Sequence, residues 1–323
     1  MHTDRLMAAV EEDLERAAKL LRAGELVAFP TETVYGLGVD ARNDEAVAKV
    51  FEIKGRPQFN PLIIHVRNLA QAETLGVFSP LAKSLATAHW PGALTLVVPR
   101  KPNSNSGSQV SLLASAGLSS LALRVPAHPI AQALLIASEC PIAAPSANKS
   151  GHLSPTQAVH VTKDFPDLPT LDGGACTKGL ESTIIGCLED EPVLLRRGSL
   201  NPSELEETLG FQLTYLPEND TQTAQLAPGR LARHYAPRAG LRLDAQTVEP
   251  GEALLAFGKD LPFHESHCLN LSPARNLTEA AANLFSFLHE LDSRADRIAV
   301  MPIPEEGLGA AINDRLKRAA ASK

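Results

Sequence analysis

PTETVYGLGVDARNDEAVAKVFEIKGRPQFNPLIIH, residues 30–65, decides the fold. It leaves the short apolar strand LVAFP (26–30), breaks into a Gly-rich turn at Gly36 and Gly38, and becomes helical over DEAVAKVFEIK (44–54). Asp44 is the expected N-cap of that helix. A tight Lys-Gly-Arg-Pro turn then leads to a buried strand, PLIIHV (61–66). Lys54 and Arg56 stand two apart in a turn with apolar flanks. Cations at a helix C-terminus complement the helix dipole. Two of them fixed between structured elements also mark an anion site, and the anion most in need of two cations is a polyphosphate.

The same alternation extends in both directions. Leu6, Val10, Leu14, Ala17 and Leu21 recur at helical spacing and predict a helix over 4–23, ended by Gly24. Further helices are expected at 80–90, 128–138 and 199–210, strands at 93–100, 121–126, 182–189 and 192–198, and a strand running into a polar loop over 141–156. Residues 101–119, rich in Ser, Asn and Gly, read as a mobile surface loop. Strands and helices alternate, so the fold class is α/β with a mixed sheet. Residues 211–240 carry Pro217, Pro228, Gly229, Pro237 and Gly240 and read as an interdomain linker. Beyond it, 252–258, 276–294, 297–304 and 308–321 make a second, smaller α/β unit. The expected division is 1–210, 211–240 and 241–323.

Composition bounds the function. The chain has 323 residues, enough for two domains, with 44% hydrophobic and 21% charged residues, the profile of a soluble globular protein. A net charge of −7 argues against a basic nucleic-acid coat. Cys140, Cys176, Cys187 and Cys268 form no C-x-x-C pair, against a zinc site or a disulfide framework. His264, His267 and Cys268 read as incidental loop residues, so no protein-held metal is expected. No apolar run is long enough to span a membrane, and the acidic, helical N-terminus is unlike a signal peptide. These features read as a cytoplasmic protein without a membrane partner.

No P-loop string, H-E-x-x-H or G-x-S-x-G occurs. Gly36-Leu-Gly38-Val-Asp-Ala41 fits a dinucleotide fingerprint, but Pro30 and the polar Thr31-Glu32-Thr33 interrupt the strand that should lead into it. More telling are the polar islands at or near strand ends: Thr31 to Thr33, Asn60 and His65, Arg124, Ser146 and Asn148, Glu181 to Thr183, and Arg196 with Arg197. Ligand sites of open α/β sheets collect at strand ends.

These residues carry a resemblance. PTETVYGLG, KGRPQFNPLIIH, LRVPAHP, APSANKSGHLSPT and ESTI follow one another as in the YrdC-like family. APGRLARHYAP and GLGAAINDRLKRAA resemble its long, two-domain form. The K-x-R and S-x-N signatures are intact as Lys54/Arg56 and Ser146/Asn148. The resemblance implies a twisted mixed sheet with a concave active-site face, a small Rossmann-like C-terminal α/β domain, and a linker reaching over the site. It implies a nucleotidyltransferase that condenses L-threonine, bicarbonate and ATP to threonylcarbamoyl-adenylate and pyrophosphate. A downstream threonylcarbamoyl transferase would use that product to modify tRNA beside the anticodon.

Carried over by position, Thr33, His65, Arg124, Ala144 and Ser182 would line the threonine site. Arg56, Asn60, Ser120, Ser146, Ser154 and Arg196 would line the ATP site, with His234 or Tyr235 reaching in from the linker. Lys54, Arg56, Ser146 and Asn148 would carry the chemistry, helped by Mg2+. Arg124 would hold the threonine carboxylate. Linker residues Arg230 and Arg233 could meet the triphosphate on closure. The chain departs from the family pattern at Ala227-Pro-Gly-Arg-Leu-Ala232 and at Arg197, where the family usually has Pro. Three rival readings remain: an RNA-binding YrdC-like module without catalysis, a carbamoyl-transfer enzyme of hydrogenase maturation, and a nicotinamide dehydrogenase on Gly36/Gly38. The second lacks its acylphosphatase-like domain and zinc fingers here.

Overall fold

The short apolar runs become strands of two sheets in the computed structural model, which describes residues 6–7, 11–57, 59–102, 110–215, 234–262 and 267–321. In the first unit the strands are Leu6–Met7 (β1), Val27–Phe29 (β2), Gly36–Asp40 (β3), Ile63–His65 (β4), Leu94–Pro99 (β5), Ser120–Arg124 (β6), Ile142–Ala143 (β7), Thr170–Leu171 (β8), Thr183–Gly186 (β9), Val193–Arg196 (β10) and Thr214–Tyr215 (β11). They run in the order β1-β8-β2-β3-β7-β4-β6-β5-β9-β10-β11. Parallel and antiparallel pairs mix, as expected for the fold class. The helices are Glu11–Arg22 (α1), Asp44–Lys54 (α2), Leu69–Leu75 (α3), Pro80–His89 (α4), Pro129–Ser138 (α5), Ala158–Asp164 (α6) and Pro202–Leu209 (α7).

Register positions the site. His65 at the end of β4 pairs with Arg124 at the end of β6 on one side and Ile142 of β7 on the other. Strand β9 runs parallel to β5 and antiparallel to β10, with a register shift between Leu194 and Arg196. The ends of β4, β6 and β10 and the start of β9 therefore converge. One core, from Val39, Val50, Ile64, Leu96 and Leu123, fills the sheet face under α2 and α4; another joins α1 and α5 to β2 through Leu21, Phe29 and Leu134.

Several local expectations are corrected. Residues 36–40 are strand β3, not a turn. A Cβ on Gly38 would lie 2.8 Å from the ring of Phe29, so glycine here admits a neighbouring side chain and forms no phosphate loop. The turn sits earlier, where Thr31 Oγ1 accepts from the amides of Thr33 (3.1 Å) and Val34 (3.2 Å). Helix α2 is capped by Asn43, whose Oδ1 accepts from Ala46 N at 3.0 Å, while Asp44 is its first residue. Its C-cap, Gly55, has φ 60°, the left-handed conformation that glycine adopts without strain.

Of the expected helix 4–23, Glu11–Arg22 is helical, residues 4–5 and 8–10 lie outside the described residues, and Leu6 and Met7 instead pair in parallel with Thr170 and Leu171. Tertiary pairing overrides helical spacing there. Of the expected surface loop 101–119, residues 103–109 lie outside the described residues, and part of the remainder packs inward while Lys101, Leu112 and Ser119 stay exposed. Val110 and Ala114 belong to the main core, and Ala114 O accepts from Leu62 N at 2.8 Å. Helices α3 and α6, each of 7 residues, escaped the sequence reading because about two turns carry too little periodicity.

Gly240–Arg242 (β12), Glu252–Ala256 (β13), Cys268–Asn270 (β14) and Arg297–Val300 (β15) form an all-parallel sheet in the order β12-β15-β13-β14. Leu277–Asp292 (α8) and Leu308–Ala320 (α9) pack on it, the small Rossmann-like unit expected. Of the expected linker 211–240, Thr214–Tyr215 adds an edge strand and residues 216–233, with Arg230 and Arg233, lie outside the described residues. His264 does as well. Among the described residues no helix is long and apolar enough to cross a membrane.

Candidate active site

The strand ends enclose one cavity. Its walls include Thr33, Arg56, His65, Arg124, Ala144, Ser146, Ser182, Arg196, His234 and Tyr235 from the expected set, together with Thr31, Gly36, Pro61 and Glu181. Asn60, Ser120 and Ser154 are buried but do not line it. Ser154 Oγ instead donates to Glu181 Oε1 at 2.6 Å.

Arg124, 3% exposed, is not a surface strand-end residue. Its Nη2 pairs with Glu32 Oε1 at 2.5 Å, Nη1 donates to Thr33 Oγ1 at 2.9 Å, and Nε donates to Gly92 O at 3.1 Å. A guanidinium has five N–H donors, so two stay available for a ligand carboxylate. Glu32 Oε2 is held by Ala127 N at 3.0 Å. Burial raises the pKa of Glu32, but the Arg124 charge and hydrogen bond outweigh it and hold the carboxyl below its usual range.

Two of the expected catalytic residues act from behind the wall. Lys54 Nζ donates to the carbonyls of Ser146 (2.6 Å) and Asn148 and does not line the cavity. Burial, then the Arg56 charge, push its pKa well down. The amide of Asn148 is also spent: Nδ2 donates to Lys149 O and His152 O, both at 2.9 Å, and Oδ1 accepts from Ser146 Oγ at 2.5 Å. Both side chains are thus anchored to the backbone beside the cavity, with one N–H of the Lys54 ammonium left over. They shape the Ser146 turn, because buried backbone carbonyls need donors and these side chains are the ones within reach.

Arg56 and Arg196 do reach the cavity. Arg56 Nε donates to Asn60 O (3.2 Å) and Nη2 to Pro61 O (3.0 Å), fixing the fork while leaving donors over. Burial brings its pKa down to about 10, still charged at neutral pH. Arg196 Nη2 donates to Ser182 O at 2.8 Å, and Ser182 Oγ shares a 2.7 Å hydrogen bond with Thr95 Oγ1. The histidines add no charge. Burial, then Arg124, push His65 down to about 3, and burial, then Arg56 and Lys54, push His234 well below its usual value. Among the described residues the Nδ1 atoms of both are buried without a partner. Tyr235 adopts φ 64°, and its ring packs 4.1 Å from that of His234. Concentrated positive charge, countered by Glu32 and Glu181, makes this an anion-seeking pocket.

Burial of neutral histidines sets a pH dependence. His65 and His160 are held at about 3 and His289 at about 4, all chiefly by burial. In the unfolded chain each titrates near pH ~6.5. Below that pH the unfolded chain binds protons that the folded chain refuses, so stability falls with pH, by up to about 1.4 kcal/mol per unit per histidine. The urea midpoint is expected to drop steadily from about pH 6.5 to about pH 4. A flat profile would contradict neutral burial.

Glu181 and Arg315 were missed as site residues. Glu181 was only one member of a polar island. Arg315 stands among Ala311, Ile312, Leu316 and Ala319 on the buried face of α9, and a charge on an apolar stripe is the signal that could have found it.

A family model described as "Telomere recombination", for the Sua5/YciO/YrdC family, matches residues 19–198. Another, described as "Threonylcarbamoyl-AMP synthase, C-terminal domain", matches residues 200–321. The chain is similar to a threonylcarbamoyl-AMP synthase of Bacillus subtilis, at 38% identity over 97% of this chain and 94% of that one. It is 40% identical to the Pyrococcus abyssi enzyme of the same name, over 94% of this chain and 92% of that one. The crystal structure of P. abyssi Sua5 complexed with L-threonine superposes with a TM-score of 0.86 at 38% identity, covering 96% of this chain and 94% of that one. With both domains matched in order and nearly the whole length aligned, the chain belongs to the Sua5/YrdC family, in the two-domain form of the threonylcarbamoyl-AMP synthases.

Proposed function

We propose that the cavity condenses L-threonine, bicarbonate and ATP to threonylcarbamoyl-adenylate and pyrophosphate. The observation that carries this reading is the buried triad Arg56, Arg124 and Arg196 around one hollow, with the hydroxyls of Thr33, Ser146 and Ser182 between them. Arg124, anchored by Glu32, offers its two remaining donors to the threonine carboxylate. Thr33 and Ser182 flank it, and neutral His65, whose Nδ1 has no partner among the described residues, can accept or donate without adding charge. The threonine amine attacks the bicarbonate carbon, giving a carbamate and water. A carbamate oxygen then attacks the α-phosphorus of ATP, and the bond to the β-phosphate bridging oxygen breaks with release of pyrophosphate. Arg56 and Arg196 stabilise the charge that gathers on the leaving group.

Mg2+ fits this donor set as an ion carried in on the triphosphate. Among the described residues no group of three His, Cys, Asp or Glu side chains could hold it alone. The oxygens of Glu181 are occupied by Ser154 and Arg315, while the Ser146 hydroxyl is among the protein oxygens that line the cavity. When bound, the ion neutralises phosphate charge. The mixed anhydride product hydrolyses readily, so water must be excluded. His234 and Tyr235 line the cavity, and we divide the chain into a catalytic unit (1–210), an interdomain linker (211–240) and a C-terminal unit (241–323). The product suits a downstream transferase that places the threonylcarbamoyl group on tRNA in the cytoplasm. A surface that merely holds RNA is not favoured, because these cations are buried around a hollow rather than arrayed for a phosphate backbone.

Purified protein with labelled ATP is expected to release pyrophosphate only when threonine and bicarbonate are both present. Release indifferent to threonine would sink the reading.

A further inference from the structure

Arg315 belongs to α9 of the C-terminal unit, yet it is 1% exposed and ends at the back of the catalytic cavity wall. Its Nε donates to Glu181 Oε2 at 3.1 Å, and Nη1 donates to Asp314 Oδ2 at 2.9 Å. The guanidinium carbon lies 5.4 Å from the centre of the Tyr235 ring. Among the described residues Nη2 is buried with no partner. Glu181 and Tyr235 line the cavity, and Arg315 does not. The other oxygen of Glu181 accepts from Ser154 Oγ. Ser154 is gripped a second time from the C-terminal unit, its carbonyl lying 3.2 Å from Nε2 of His289 on α8. The ring of His289 stacks 3.9 Å from that of His160 in the catalytic unit.

We infer that Arg315 is a positioning residue for the nucleotide: it neutralises Glu181 and pins it to Ser154, so that the C-terminal unit sets the charge of the cavity wall. The inference rests on the reading of this cavity as the ATP site. Without Arg315, Glu181 is a buried carboxylate lacking its partner and facing a polyanion. Its charge then pulls on Arg196, the nearby cation that now holds Ser182 O. Both effects lower the positive potential where the triphosphate binds. Burial raises the pKa of Glu181, but Arg315 first, then Arg196, outweigh it and hold the carboxyl below its usual range.

A double-mutant cycle tests this in the full chain. Affinity for a non-hydrolysable ATP analogue is read by calorimetry, and threonine-dependent turnover is read beside it. Arg315→Met is expected to weaken analogue binding by about tenfold or more. Glu181→Gln in the Arg315→Met background is expected to recover most of that loss, since the unpaired charge is gone. Arg315→Lys, which keeps the charge, should bind close to the parent. If Arg315→Met fails to fold, the recovery is read instead in the urea midpoint of the double variant, which should then be folded. A double variant no better than Arg315→Met in both binding and stability, or a lysine variant as poor as the methionine one, overturns the inference. Analogue binding by the parent without threonine-dependent turnover would count against the proposed reaction and leave the cycle readable.

Discussion

Arg56→Ala is expected to cut threonine-dependent pyrophosphate release by about 10²–10³-fold, the usual cost of removing one preorganised group that stabilises developing charge. The argument is geometric. The carbonyls of Asn60 and Pro61 hold the guanidinium in place, and it lines the cavity beside Arg196. It therefore meets the leaving pyrophosphate without reorganising, in a site where burial keeps water from screening it. Arg56→Lys keeps the charge but loses the planar fork and should fall in between. Turnover is compared with the urea midpoint for each variant. Near-parental turnover in Arg56→Ala would remove Arg56 from the phosphate side. A collapse in stability that accounts for the loss would assign it instead to holding the 60–61 turn.

The second large effect belongs to Arg124. Arg124→Leu leaves Glu32 buried without its charge partner, and breaking such a pair from one side costs about 3–5 kcal/mol of folding stability. It also removes the donors expected to hold the threonine carboxylate, so the KM for threonine should rise by at least about 30-fold, equivalent to roughly 2 kcal/mol. Adding Glu32→Gln separates the two roles. The double variant should regain much of the urea midpoint, because the lone carboxylate is gone, and none of the threonine affinity. If threonine KM recovers together with stability, Arg124 contributes only through the fold.

Much of this site was legible because its residues sit where strands end. Thr33, His65, Arg124, Ser182 and Arg196 could be gathered as polar islands, and the register of β4, β6, β9 and β10 brings them to one hollow. What the sequence left ambiguous was which donors remain free. Lys54 and Arg56 look equivalent two residues apart. In the fold Lys54 is anchored to the carbonyls of Ser146 and Asn148, while Arg56 lines the cavity. Asn148 looks like a phosphate ligand, and its amide also braces its own turn. The glycines at 36 and 38 mimic a nucleotide loop, and the ring of Phe29 explains them.

Local spacing by itself determined the α/β alternation, the smaller second unit, and the side-chain types brought to the strand ends. Those properties depend on periods of a few residues, which a linear reading captures. Only the tertiary structure decided which charges are paired. Arg124 and Glu32 are 92 residues apart, and Arg315 and Glu181 are 134 apart. A buried ion is stabilised by whichever partner the packed chain brings within a few ångströms, and no local pattern encodes that distance.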